Sequence, residues 1–268
     1  MKMKADSLKS YIETLQSQGV YWFFKEKITE TLGMTENTFV KASRRLISQG
    51  RLAKIYGGFY VIVPLEYHSS GCLPVSWFIH ALMAYLNQPY YVCLLTAAGI
   101  HGSAHQQAMA FKIMTKKPIR KIIAGSVRIE FCYKKKISQN SYQSVKTASG
   151  FMHVSTPEMT AFDLVHYAHV SGQLQHVATV LLELAEKLNP EILALHIKND
   201  EVETPTAQRL LYLLDLLKVK IDLREPEAEL KLKKLVKKIL VPRSHSQVIE
   251  YNERWKILVN EIFELDDL

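Results

Sequence analysis

The chain has 268 residues, 48% hydrophobic and 22% charged, with a formal net charge of +8. This is the composition of a folded protein of about two domains, not of a disordered or fibrous one. No stretch approaches about 18 uninterrupted apolar residues and MKMKADSLKS lacks the apolar centre of a signal peptide, which excludes a membrane span and predicts a cytoplasmic protein.

Charge is unevenly distributed. Residues 1–64 hold 10 Lys/Arg against 5 Asp/Glu, residues 65–150 hold 10 against 2, and residues 151–268 hold 14 against 19. The first 150 residues therefore suit a polyanion, while the last third is acidic. Cys72, Cys93 and Cys132 form no CxxC pair and lie among apolar neighbours. They read as reduced, buried thiols rather than disulfide or zinc ligands.

In chain order, Asp6 is placed to cap a first helix with Leu8, Tyr11, Ile12 and Leu15 on one face and Gly19 at its end. Lys25 to Leu32 predicts a second helix, Gly33-Met34 a tight turn, and residues 35–48 a third helix. On the third, Phe39, Val40, Ala42, Ser43, Leu46 and Ile47 gather on one side, while Asn37, Lys41, Arg44, Arg45 and Ser48 gather on the other. Arg51–Tyr56 and Phe59–Val63 then flank Gly57-Gly58, a pair suited to a two-residue hairpin turn.

Helix, turn, helix and hairpin in this order predict a winged helix-turn-helix DNA-binding unit over residues 1–66. Its candidate DNA contacts are Thr35, Asn37, Thr38, Lys41, Arg44 and Arg45 from the third helix, and Arg51, Lys54 and Tyr56 from the wing. A solvated helix face, or a winged helix used for protein contacts, is the competing reading.

Pro64, Gly71 and Pro74 mark a junction, and residues 74–268 read as a larger mixed α/β domain with a helical C-terminal part. Residues 75–87 predict a helix, Tyr90–Leu95 a β-rich run, and Thr96–His105 a short helix or loop. Met109–Thr115, Arg120–Ala124, Ser126–Tyr133 and Phe151–Val154 predict strands. Ser155-Thr-Pro-Glu158 opens a helix to about Val170, with Ser155 as cap and Glu158 three residues later. Further helices follow at Gln173–Leu188, from Asn189-Pro190, and from Thr204-Pro205 with its stripe of Leu210, Leu211, Leu214 and Leu217. Glu227–Leu240 reads as an amphipathic Lys-rich segment, and Gln247–Ile262 mixes β-formers and helix-formers without a clear assignment. The fold class is thus α/β in the broad, α+β sense.

Little in this pattern carries chemistry. His101 and His105 have zinc-protease spacing, but Gly102 stands where the glutamate should follow, so a metal is not expected. His166 and His169, near Asp163, read as boundary residues of an amphipathic helix. A metal-dependent nuclease needs an acid and an acid-x-Lys pair. Glu130-Phe131-Cys132 lacks that lysine, and Glu66 is the only other acid between residues 65 and 150. No GxGxxG, P-loop or GxSxG occurs. No catalytic residue or cofactor is expected, with a divergent DNA-acting enzyme as the alternative. Lys116, Lys117, Lys134, Lys135 and Lys136 are candidate DNA-backbone contacts.

Taken together, the winged helix ending in Gly57-Gly58-Phe59-Tyr60, Thr96-Ala-Ala-Gly-Ile-His-Gly102, Ser155-Thr-Pro-Glu-Met-Thr-Ala-Phe-Asp-Leu164, Gln208-Arg209-Leu210 and Arg254-Trp-Lys-Ile-Leu-Val-Asn260 resemble the AbiEi-type antitoxins of bacterial abortive-infection systems, also described as predicted regulators of viral defence. Order and spacing carry the resemblance. It implies a winged helix that represses its own operon at inverted repeats in double-stranded DNA, and an α/β domain that counteracts a nucleotidyltransferase-like toxin. Such systems are described as type IV, in which toxin and antitoxin need no stable complex. The chain differs from the simplest family picture in its tight Gly33-Met34 turn and acidic C-terminal third.

Overall fold

The computed structural model describes residues 7–103, 109–242, 244 and 246–262. Asp6 and His105 lie outside the described residues. Two compact units are formed: residues 1–91, 109–135 and 144–153, and residues 92–108, 136–143 and 154–268.

The first unit begins with α1 (Leu8–Ser17), whose cap is Ser7, its hydroxyl accepting from Ser10 N–H. A short strand β1 (Trp22–Phe24) runs directly into α2 (Lys25–Leu32). Gly33 ends α2 in the left-handed region (φ 61°), a conformation that glycine adopts without a Cβ penalty. Thr35 then caps α3 (Glu36–Ser48), its hydroxyl accepting from Thr38 N–H. Strands β2 (Leu52–Tyr56) and β3 (Phe59–Ile62) complete an antiparallel sheet ordered β1-β3-β2.

The three helices close on this sheet through Leu8, Ile12, Phe23, Ile28, Phe39, Leu46, Leu52, Tyr60 and Ile62. The expected faces of α3 hold with one exception: Ile47 is 38% exposed, because it lies at the rim where the helix turns into Gln49-Gly50. Strand β3 is buried along its whole length, since it is central in the sheet and its outward Phe59 packs against Phe78 and Tyr85.

Beyond the hairpin come a 3-10 turn (Val75–Trp77) and α4 (Ile79–Tyr85), shorter than the helix expected over 75–87. The next elements are β4 (Tyr90–Val92), α5 (Leu94–Ile100), β5 (Phe111–Thr115), β6 (Ile122–Ala124), β7 (Val127–Tyr133), β8 (Tyr142–Thr147) and β9 (Gly150–Ser155). The run Tyr90–Leu95 is therefore half strand and half helix. The six strands form one sheet ordered β6-β7-β5-β4-β9-β8, in which β5 and β7 are parallel and β6 and β7 antiparallel. Residues of β4, β8 and β9 are divided between the units.

The second unit is mainly helical: α6 (Pro157–His166), α7 (Gln173–Leu184), α8 (Pro190–Lys198), α9 (Thr204–Leu216) and α10 (Arg224–Lys231). Thr156, not Ser155, caps α6 and accepts from Met159 N–H, while Ser155 still belongs to β9. The amphipathic Lys-rich segment Glu227–Leu240 is helical only as far as Lys231. Its distal part turns into β10 (Lys238–Ile239), which joins β12 (Ile257–Val259) and β11 (Glu250–Asn252) in the order β10-β12-β11. The unassigned segment 247–262 thus supplies two of these three strands.

Candidate nucleic-acid interface

The geometry of α2 and α3 is fixed by their shared ends. Lys25 forms an ion pair with Glu36 across the two helices. The bond holds the Lys25 ammonium above its ordinary range and the Glu36 carboxyl below its own. The one acid at the start of α3 is therefore engaged with a cation. Asn37, Thr38, Lys41, Arg44, Arg45 and Ser48 are exposed, as is the cap residue Thr35, whose hydroxyl lies 2.9 Å from that of Thr38. Behind this face the buried Ser43 donates to Val40 O at 3.2 Å, and burial pushes the Tyr60 phenol on β3 up.

The three residues expected on a wing diverge. Lys54 and Tyr56 are exposed on β2 on either side of a register shift, Lys54 opposite Tyr60 and Tyr56 opposite Phe59 on β3. Arg51 instead donates to Glu13 on α1 at 3.1 Å and lines a cavity of about 620 Å³ with Tyr21, Tyr67 and Trp77. The hairpin turn is held closely. Gly57 takes a positive φ of 47°, whereas a Cβ on Gly58 would stand 2.7 Å from a Glu26 carboxylate oxygen, the end of a flexible side chain that can move aside. Gly58 N–H donates to the Tyr85 hydroxyl (3.1 Å), and Tyr85 stacks on Phe24 at 5.1 Å. Tyr85 was not singled out by sequence reasoning, because an aromatic residue closing a helix gives no sign of its distant partner.

Two lysine runs meet because β5 and β7 are parallel. Thr115 pairs with Tyr133, and Lys134 N–H donates to Thr115 O, so Lys116 and Lys117 emerge beside Lys134 and Lys135. Lys136 falls in the second unit, where Asp200 feels its charge. Glu130, the acid of the nuclease comparison, is bound at 2.5 Å by Lys112 on β5, which holds its carboxyl low.

In the second unit the quoted sequence segments converge at the ends of two parallel strands. Val92 of β4 pairs with Val154 of β9, and each strand passes directly into a helix. The Ser155 hydroxyl bonds Val92 O and lies 2.6 Å from the Thr160 hydroxyl. His101, at the end of α5, donates from Nε2 to Ser155 O at 2.8 Å. Burial holds the His101 imidazole below its ordinary value. Glu158 is buried and accepts from Asn189 N–H at the start of α8 (2.8 Å) rather than reaching back to its own helix. Its other oxygen has no hydrogen-bond partner.

The terminal segments are likewise occupied in packing. Gln208 donates to Val236 O and Trp255 O, and Arg209 to Ile239 O. Trp255 is fully buried, with its indole N–H on Asp215 (2.8 Å), and Arg254 lies over its ring while pairing with Asp215 and Glu227. His166 bonds Thr206 (3.0 Å). Among the described residues no three His, Cys, Asp or Glu gather to hold a metal ion, and no helix is long and apolar enough to cross a membrane.

These features define a mixed α/β protein whose body is built around paired strand-to-helix junctions. Residues 90–216 match the model of the AbiEi antitoxin C-terminal domain, which supports an AbiEi-type antitoxin. No curated protein matches the chain. Among solved structures, the crystal structure of the RV2827C protein from Mycobacterium tuberculosis is similar over 93% of this chain and 89% of that one, with 14% identity and a TM-score of 0.62, a likeness of fold. The solution structure of the antibiotic-resistance factor ANT(2'')-Ia covers 42% of this chain and 82% of its own, at 12% identity and a TM-score of 0.29, too low to carry an argument.

Proposed function

We propose that the chain is a DNA-binding transcriptional autorepressor as well as an antitoxin, acting in the cytoplasm against a nucleotidyltransferase-like toxin in phage defence and performing no catalysis itself. The observation that carries the DNA reading is the exposed face of α3, where Asn37, Thr38, Lys41, Arg44 and Arg45 stand free of the core while Glu36 is engaged by Lys25. Long cations reach phosphates and guanine edges, and Asn37 near the helix start suits an adenine edge in the major groove. Lys54 and Tyr56 extend the surface from β2, and Lys116, Lys117, Lys134, Lys135 and Lys136 are offered as backbone contacts. Arg51, paired with Glu13, contributes through the shape of the α3–β2 turn. The antitoxin reading rests on the domain over residues 90–216.

Titration of the protein's own promoter by gel shift tests the first part. Replacing Lys41, Arg44 and Arg45 with Ala is expected to weaken binding at least tenfold and flatten its salt dependence by roughly one unit per lost phosphate contact. Unchanged affinity would overturn the assignment and favour a winged helix used for protein contacts. Co-expression with the toxin tests the second part: the same variant should still restore growth.

A further inference from the structure

The cavity beside Arg51 serves neither the DNA reading nor the antitoxin reading. Its volume is about 620 Å³, and it lies wholly within the first unit, where Gln16, Tyr21, Arg51, Glu66, Tyr67 and Trp77 line it. That size is within the range of small-molecule sites, roughly 300–1,000 Å³. Three half-buried rings run along it: Trp77 makes T-shaped contacts with Tyr21 at 5.1 Å and with Tyr67 at 5.9 Å.

Backbone bonds fix these walls. Tyr21 O accepts from Ile62 N–H at 2.8 Å and Arg51 O from Val63 N–H at 3.0 Å, while Tyr67 N–H donates to Pro64 O and Trp77 N–H to Pro74 O, each at 3.0 Å. The cavity is thus formed in advance, which lowers the ordering cost of binding.

Its two charged side chains are of opposite sign. Arg51 gives one terminal nitrogen to Glu13 at 3.1 Å, and the rest of its fork of donors suits a carboxylate. Glu66 has no ion-pair partner among the described residues, although residues 65–150 hold just one other acid. An organic anion would meet Arg51 but be opposed by Glu66, and an organic cation the reverse. A zwitterion satisfies both, and an aromatic ring on it finds the three rings of the wall.

From this combination we propose that the cavity binds a free aromatic α-amino acid, with its carboxylate on Arg51, its ammonium on Glu66 and its ring against Tyr21, Tyr67 and Trp77. The proposal goes beyond the DNA and antitoxin readings and depends on neither.

Calorimetric titration of the full chain with L-phenylalanine, phenethylamine and hydrocinnamate tests it, because the three share a ring and differ in charge. L-Phenylalanine should bind about tenfold more tightly than either relative. Glu66→Gln, a conservative change at an exposed position, should weaken L-phenylalanine and phenethylamine about tenfold and leave hydrocinnamate unchanged. Arg51→Gln should weaken L-phenylalanine and hydrocinnamate and leave phenethylamine unchanged, with thermal melts confirming that both variants fold. L-Phenylalanine should also change the tryptophan fluorescence of the parent, and Trp77→Phe should remove that change. Absence of heat and of a fluorescence change at about 10 mM L-phenylalanine would overturn the site. Equal affinities for the three probes, or a Glu66→Gln variant that binds L-phenylalanine as the parent does, would overturn the zwitterion assignment.

Discussion

At the scale of single residues, the antitoxin domain is organised by buried polar groups whose partners lie far along the chain. Glu158 accepts from Asn189 N–H, so a side chain at the start of α6 completes the start of α8. Glu158→Ala would strand that N–H and is expected to lower stability by about 1–3 kcal/mol, with a smaller loss for Glu158→Gln, which keeps an acceptor. Urea unfolding measures both, and equal midpoints for Ala and Gln would refute a role for the bond. The sequence pattern Ser155-x-x-Glu158 suggested a reciprocal cap. Thr156 takes the capping role instead, because Ser155 is still paired in β9.

At the scale of elements, α9 serves as the post to which the C-terminal sheet is tied. Gln208 is fully buried and joins Val236 O and Trp255 O, two carbonyls on separate approaches to that sheet. Gln208→Ala removes both donors and is expected to cost about 2–4 kcal/mol. Hydrogen exchange should show β10 and β12 opening first, and uniform protection across the unit would argue against the tie. The amphipathic Lys-rich segment Glu227–Leu240 does not form one element, for a clear reason. Its lysines fit a helix face, but Val236 and Ile239 are taken up by long-range backbone and strand contacts that no local pattern encodes. The α2–turn–α3 elements were legible because their signals are local: the Gly33-Met34 turn and a 3.6-residue apolar period.

At the scale of the whole molecule, three histidines share one electrostatic character. Burial holds His80, His101 and His153 below their ordinary value of 6.5, and for His153 the neighbouring His80 adds to the effect. Above pH 6.5 both folded and unfolded chains carry them neutral, and they add no pH dependence. As pH falls through 6.5, the unfolded chain takes up protons before the folded one, so stability declines until the folded-state values are passed. Urea midpoints should therefore fall from pH 7.5 to pH 5.5, and the drop should shrink in a His101→Gln variant. A midpoint independent of pH across that window would contradict the account. The charge asymmetry of the chain also operates at this scale: the basic first 150 residues suit an electrostatically steered encounter with a polyanion.

By itself, the sequence determined what depends on near neighbours: the periods of the N-terminal helices, the Gly57-Gly58 turn, the exposed cations of α3, the α/β character and the likeness to AbiEi-type antitoxins. Only the tertiary structure decided which charges are engaged and which surfaces adjoin. Arg51 looked like Lys54 in sequence, yet one is bound to Glu13 and the other is exposed. The turn between β6 and β7 likewise found its seat only in the fold, where Gly125 stands against Ser70. The physical reason is that helical periods and turn chemistry are fixed within a few bonds, whereas ion pairing and surface continuity depend on distances that arise only when remote strands are brought together.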